Sequence, residues 1–343
     1  MKKSLLAMAV AAALPAVATA QVTIGGALHF GLQDTGAPGA NFKGVSLGGS
    51  QNAINIVASE EVQKGLRAGA RFQLRYSSET GDVGGIGADN SLRLFHDANF
   101  FISGSFGEFR AGKIFEDSNC SFDPWGCLTT GGSSLAAGFS GSVGTLTAAQ
   151  SVASSVLYRT PNFAGFSASY QAQVGDRDNQ RQVLNLSYSD GPIIAQILMT
   201  KNGIGNTVVQ GARLAEGTLT TANVNSIRGA SNDVAEDAVS YGVSYDFKVA
   251  RVMFVRAEVE NAAGLKTRKA NQIGAIAPLG SNIQLLAGYV QDDGTARTSA
   301  NDTRWVIGAN YLLSKRTTLG ADLFEQEGAG FGTGFALRAR HTF

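Results

Sequence analysis

Segments of about ten residues in which apolar and polar side chains alternate, separated by turn residues, recur along the whole chain, while helical periodicity is nearly absent. Alternation at period 2 places the two sets on opposite faces of a strand. Leu66, Ala68, Ala70, Phe72, Leu74 and Tyr76 fall on one face; Arg67, Gly69, Arg71, Gln73 and Arg75 fall on the other. Taken singly, such a strand fits a soluble sandwich with its apolar face inward, or a membrane barrel with that face on lipid. The number and spacing of the segments decide between them.

Six further runs repeat the pattern: Phe166–Gln173, 184–189, 239–245, 255–260, 307–313 and 335–343. Their connections alternate in length. Short turns such as Gln63-Lys64-Gly65, Asp190-Gly191-Pro192 and Ser314-Lys315-Arg316 alternate with long Gly/Asn/Asp-rich stretches at 34–52, 116–152 and 202–235. Short turns on one rim and long loops on the other define an outer-membrane barrel. Counting between connections gives sixteen strands, an even number that returns both termini to one rim. Such a barrel encloses an aqueous channel, whereas eight strands are filled by their own side chains. The fold class expected is therefore all-β, a 16-stranded antiparallel transmembrane β-barrel. Two segments alternate poorly, 268–277 and 193–200; in the second, one of two apolar faces is expected to pack on a neighbouring subunit or an inner loop.

Composition agrees. Charged residues make up 16% of the chain against roughly 25% in soluble domains, and 43 of 343 residues are Gly, above the usual ~7%. The 28 basic residues become 26 without Lys2 and Lys3, against 27 acidic ones, so no charge excess points to nucleic acid. No stretch reaches the 18 apolar residues of a membrane helix. Met1-Lys2-Lys3, the apolar run 5–17 and Ala18-Thr19-Ala20 read as a signal peptide over residues 1–20, leaving a barrel domain at 21–343. In an exported chain, Cys120 and Cys127 are expected to form a disulfide rather than a metal pair: Cys-x6-Cys is not a zinc spacing and no His lies nearby. Neither cofactor nor metal is expected.

Four stretches carry a resemblance: the Ser103-Gly104-Ser105-Phe106-Gly107-Glu108-Phe109 turn; 155–166, through Tyr158-Arg159-Thr160-Pro161-Asn162-Phe163; Leu313-Ser314-Lys315-Arg316-Thr317; and the end, Arg340-His341-Thr342-Phe343. Together they resemble the Gram-negative general porins of the neisserial and β-proteobacterial type. The resemblance implies a homotrimer of sixteen-stranded barrels in outer-membrane lipid and lipopolysaccharide, with the third long loop, here 116–152, folded inward as a constriction. It also implies passive diffusion of small hydrophilic solutes, often with anion preference. Where the family commonly has Arg-Gln before its second turn, this chain has His96-Asp97, and a cysteine pair in the inner loop is not expected of it.

Parity then names the pore lining. Basic candidates are Arg67, Arg71, Arg75, Arg110, Arg159, Arg256, Arg304, Arg338 and Arg340; acidic ones are Asp97, Glu108, Glu258, Glu260 and Asp322. Lys113 matches the family's basic position before the loop, with its facing left open by a bulge at Gly112. Glu116, Asp117 and Asp123 on the loop, set against Arg67, Arg71 and Arg75, are expected to produce a transverse field favouring anions. The same arginines could instead tie the loop to the wall. Phe122, Trp125 and Phe139 read as anchors of the loop rather than a substrate strip. Tyr170, Tyr188, Tyr241, Tyr245, Tyr289, Tyr311 and Phe343 suit the interfacial girdle. An enzyme is not expected: His29 and His341 lack a partnered serine motif, and adjacent His96 and Asp97 point to opposite faces. A filled adhesin barrel and a plugged transporter of ~22 strands fit the strand count poorly. The alternative to general diffusion is a channel specific for an organic anion or another small solute.

Overall fold

The computed structural model describes residues 21–34, 43–45, 52–78, 81, 83, 85–86, 92–115, 119–126, 152–175, 180–201, 235–261, 264, 266–292, 302–326 and 332–343. Residues 1–20, expected to be a signal peptide, and Glu116, Asp117, Cys127 and Phe139 lie outside them, as does the side chain of Cys120. Sixteen long strands are present: β1 (Gln21–Asp34), β2 (Ala53–Gln63), β3 (Leu66–Arg75), β4 (Phe95–Gly104), β5 (Gly107–Ile114), β6 (Val152–Arg159), β7 (Phe166–Gln173), β8 (Gln182–Asp190), β9 (Ile193–Lys201), β10 (Ala235–Asp246), β11 (Arg251–Asn261), β12 (Lys266–Leu279), β13 (Ile283–Asp292), β14 (Asp302–Leu312), β15 (Thr317–Gln326) and β16 (Thr333–Thr342). Each pairs antiparallel with its sequence neighbours, and β1 pairs with β16, so the sheet closes into a barrel. Short strands at 43–45, 85–86 and 92–93 decorate the long-loop rim.

Closure is staggered. Residues 21–27 of β1 pair with β2, while 27–34 pair with β16, the offset that a tilted barrel requires. Gly26 exchanges both backbone hydrogen bonds with Phe343, at 3.0 and 3.1 Å. A Cβ on Gly26 would lie 2.3 Å from the Ala53 carbonyl and 2.7 Å from the Phe343 ring. Gly26→Val is therefore expected to lower the yield of folded, heat-modifiable barrel from vesicles severalfold; wild-type yield would show that closure tolerates the clash.

The outer face is apolar and open to its surroundings. Tyr170, Tyr241, Tyr245, Tyr289, Tyr311 and Phe343 are between 41% and 47% exposed, and Leu, Ile, Val and Phe fill the rows between them. An apolar band encircling a barrel is the surface that lipid covers. Near the short-turn rim, aromatic pairs Phe166–Tyr188 and Tyr245–Phe247, each with centroids 4.5 Å apart, form the girdle.

One strand reverses the expected parity. The register sets Arg256 opposite outward-facing Tyr241 on one side and Asn271 on the other. Arg256, Glu258 and Glu260 therefore stand on the outer face, not in the lumen, toward the long-loop rim above Phe254. There Glu258 accepts from Arg256 Nη2 at 2.7 Å and from Lys266 Nζ at 2.6 Å. The inner face of β11 instead carries Met253, Val255 and Ala257, at most 1% exposed. They belong to an apolar cluster inside the barrel, spread over β10–β16 and completed by Phe122 and Trp125. Alternation is weak in β12 for the same reason: Ala270, Gly274 and Ile276 face this cluster. In β9, Ile194 packs against the same cluster, so one apolar face of that strand meets the lumen's apolar interior.

Candidate functional site

Two walls of the lumen differ in chemistry. On β3–β6 the inner face is polar and mostly basic. Arg71 Nη2 donates to Glu108 Oε2 at 2.6 Å and Arg110 Nε to Glu108 Oε1 at 2.7 Å, with Arg159 Nη1 4.0 Å from Oε1. One carboxylate thus sits among three guanidinium groups. Arg71 also stacks on the Phe101 ring, 4.7 Å from its centroid, and a Cβ on Gly69 would lie 2.9 Å from that ring. Arg67 Nη2 donates to Ser59 Oγ at 2.8 Å; Arg75 Nε donates to Gln73 Oε1 at 2.9 Å and its guanidinium stacks on Phe115 at 4.8 Å. Asp97 accepts from the Phe115 N–H at 3.1 Å and from Asn99 Nδ2 at 2.6 Å.

The sequence-selected Arg67, Arg71, Arg75, Asp97, Glu108, Arg110 and Arg159 therefore share one inner surface, five arginines against two carboxylates. Lys113 does not join them. The register pairs it with Ala98, and Ala98 with Phe72, a row of the outer face; its Nζ donates to the Phe95 carbonyl at 2.6 Å. Lys113 lies three positions beyond inward-facing Arg110, so plain alternation turns it outward; the irregularity at Gly112/Ile114 places its extra residue on β6, where Ser154 has φ +52°. Among the described residues, Arg71 is salt-bridged to the wall's own Glu108.

The opposite wall, β10–β16, holds residues 119–126. A single 3₁₀ turn, Asn119–Phe122, leads into a turn at Asp123. The Asp123 carboxylate accepts the Trp125 N–H at 2.9 Å and its carbonyl accepts the Gly126 N–H at 2.8 Å, the self-capping that favours Asp in turns. Asp123 is thus 4% exposed and turned into the wall, with Arg304 as its cationic neighbour. The expectation that it faces the arginine ladder is overturned, because residues 119–126 are anchored on the opposite wall.

Two glycine seats receive the segment. A Cβ on Gly242 would lie 2.5 Å from the Phe122 ring, and one on Gly274 2.6 Å from Pro124. Gln272 Nε2 donates to the Phe122 carbonyl at 2.9 Å, Arg251 Nη2 to the Ser121 carbonyl at 3.3 Å, and Trp125 Nε1 to Asp322 Oδ1 at 3.0 Å. Burying a side chain the size of Phe122 contributes roughly 2–3 kcal/mol, comparable to these hydrogen bonds together. Phe122 and Trp125 are anchors, as their composition implied. The glycine seats went unrecognised; a Gly on an inward parity position was the available signal.

Asp322 organises this wall. Its two oxygens accept from Arg338 Nε at 2.5 Å and Nη2 at 2.7 Å, and Arg338 Nη2 also reaches Asn310 Oδ1 at 3.1 Å. Gly308 and Gly320 make room: a Cβ there would lie 2.2 Å from Asp322 Oδ1 and 2.6 Å from the Arg338 guanidinium.

A closed barrel of sixteen strands, apolar outside and lined by charge within, is a membrane channel. Comparison with known proteins supplies the family. Residues 6–329 match the Gram-negative porin family, and the chain belongs to it. It is 26% identical over 338 residues to outer membrane porin protein 32 of Delftia acidovorans, covering 94% of this chain and 89% of that one. It is also 26% identical over 371 residues to major outer membrane protein P.IB of Neisseria lactamica, covering 100% of both. Among solved structures, an anion-selective porin from Comamonas acidovorans superposes with a TM-score of 0.71 at 18% identity, covering 94% of this chain and 100% of that one. The trimer form of OmpT from Vibrio cholerae gives 0.62 at 13%, covering 94% and 99%. The protein is accordingly an outer-membrane porin, a channel and not an enzyme.

Proposed function

We propose that this porin is a general-diffusion channel that passes small hydrophilic solutes and ions passively and prefers anions. The basic wall carries the reading. Among the described residues, five arginines on β3–β6 are offset by Glu108 and Asp97, so an ion crossing the lumen there meets a net positive surface. The anion selectivity in the name of the Comamonas porin supports the same sign. Residues 119–126 are held on the far wall, and loop 116–152 acts as the constriction. Segment 1–20 is the cleaved signal peptide, and the barrel assembles as a homotrimer, as OmpT does in its trimer form. The experiment is planar-bilayer recording of the refolded protein. The reading expects ohmic steps whose conductance rises with chloride concentration without saturating. Saturation with a simple salt would argue against free diffusion.

The Cys120–Cys127 disulfide belongs to the proposal as a short cross-link that stiffens the constriction. Reductant is expected to increase open-channel current noise while leaving the barrel folded. Unchanged conductance and noise would remove that role.

A further inference from the structure

Beneath residues 119–126 the lumen holds a cavity of about 410 Å³, bounded by β1, β11–β16 and the anchored segment. That volume lies within the ~300–1,000 Å³ range of small-molecule sites. We propose that it is a binding subsite for a small organic carboxylate with an apolar body, an aromatic acid such as benzoate being the simplest member. The inference rests on the channel reading and gives one solute class a station inside the pore.

Three nitrogen-bearing side chains face the cavity without a carboxylate of their own. His29 is 1% exposed, and its Nε2 has no hydrogen-bond partner among the described residues. Its backbone is fixed on both sides: Asn52 Oδ1 accepts the His29 N–H at 2.5 Å, and its carbonyl accepts from Asn52 Nδ2 at 3.2 Å and from Ser78 Oγ. The imidazole is thus held in place with one polar atom unsatisfied, a state that costs free energy unless a partner arrives. Arg340 stands directly opposite His29 in the β1–β16 register, on the same inner face, and no described carboxylate pairs with it. Arg251 donates only to neutral oxygens, Ser244 Oγ at 3.1 Å and the Ser121 carbonyl at 3.3 Å.

Arg338, which also lines the cavity, differs because Asp322 already neutralises it. Asp123, the lining carboxylate, keeps its charge but has Arg304 as its cationic neighbour. The cavity therefore retains uncompensated positive charge and a free imidazole nitrogen. Met253, Ile276, Leu312 and Trp125 supply apolar walls beside it. A chloride ion would leave those walls wet, and a neutral aromatic would leave the cations unsatisfied. A carboxylate carried on an apolar body satisfies both.

The test is equilibrium dialysis of radiolabelled benzoate against the refolded, detergent-solubilised porin, paired with titration of single-channel current by benzoate. The expected result is saturable binding of one benzoate per barrel, and a current reduction that saturates over the same concentration range. Arg340→Gln, and separately the volume-conserving His29→Phe, should each weaken binding at least tenfold, and benzyl alcohol should not compete. Non-saturable uptake, equal competition by benzyl alcohol, or affinity unchanged in both variants would overturn the subsite. Chloride selectivity persisting alongside any of these would leave the channel reading intact; saturable benzoate binding without anion preference would overturn that reading and keep the subsite.

Discussion

Asp322→Asn is expected to destabilise the barrel by about 3–5 kcal/mol and to release the segment anchored on its wall, the largest stability effect of any substitution here. Asn keeps the shape of the side chain and removes its charge. Arg338, 7% exposed at its side chain, would then be left as a buried cation whose fork had matched both carboxylate oxygens at 2.5 and 2.7 Å. The Trp125 Nε1 bond to Oδ1 would weaken from charge-assisted to neutral in the same step. Urea unfolding from lipid vesicles should show the drop in midpoint, and single channels should become noisier as residues 119–126 loosen. Asp322→Asn combined with Arg338→Met should recover much of the loss, since no unpaired charge remains. A single variant as stable as wild type would show that lumen water, not Asp322, solvates Arg338.

Arg71→Glu is expected to produce the largest change in selectivity. The substitution alters the wall by two unit charges and sets a second carboxylate where Arg71 had held Glu108 at 2.6 Å. An ion passing ~6 Å away in a water-like medium interacts with one unit charge by about 0.7 kcal/mol, so two are worth about 1.4 kcal/mol. That is roughly tenfold for one ion, and because the cation gains what the anion loses, about a hundredfold in their permeability ratio before screening. With a Debye length of about 8 Å at physiological ionic strength, the shift should be larger in dilute salt. Reversal potentials in a dilute gradient measure it, and Arg71→Gln should give about half the effect in free-energy terms. A permeability ratio equal to wild type would exclude Arg71 from the selective field.

Much of this was legible in the chain because lipid and water impose period 2 on most strands. Arg67, Arg71 and Arg75 are spaced by four, so parity alone put them on one face, and their lumen position followed once Leu66 to Tyr76 was assigned to lipid. The strand count and the place of the long loop after β5 followed from turn spacing. Parity failed where its premise failed. On β11 the lumen side is not wet: Phe122 and Trp125 cover it, so Val255 and Ala257 turned inward and Arg256, Glu258 and Glu260 outward. Lys113 would have needed a bulge within β5 to face the lumen; the extra residue lies on β6 instead, so alternation from Arg110 leaves it outward. Asp123 looked like a field-setting acid, yet its segment is anchored on the far wall, where its carboxylate caps the Trp125 N–H and lies beside Arg304. The seats at Gly242, Gly274 and Gly308 join residues up to roughly 150 positions apart, and nothing local in the sequence marks such pairs.

The central claim is that the arginine wall on β3–β6 gives this porin its ion preference. The reversal potential of the wild-type refolded channel across a tenfold potassium chloride gradient tests it most directly. The account predicts a potential of the sign that chloride permeation sets, shrinking as salt is raised on both sides. A potential of potassium sign, or one of zero at low salt, would contradict it.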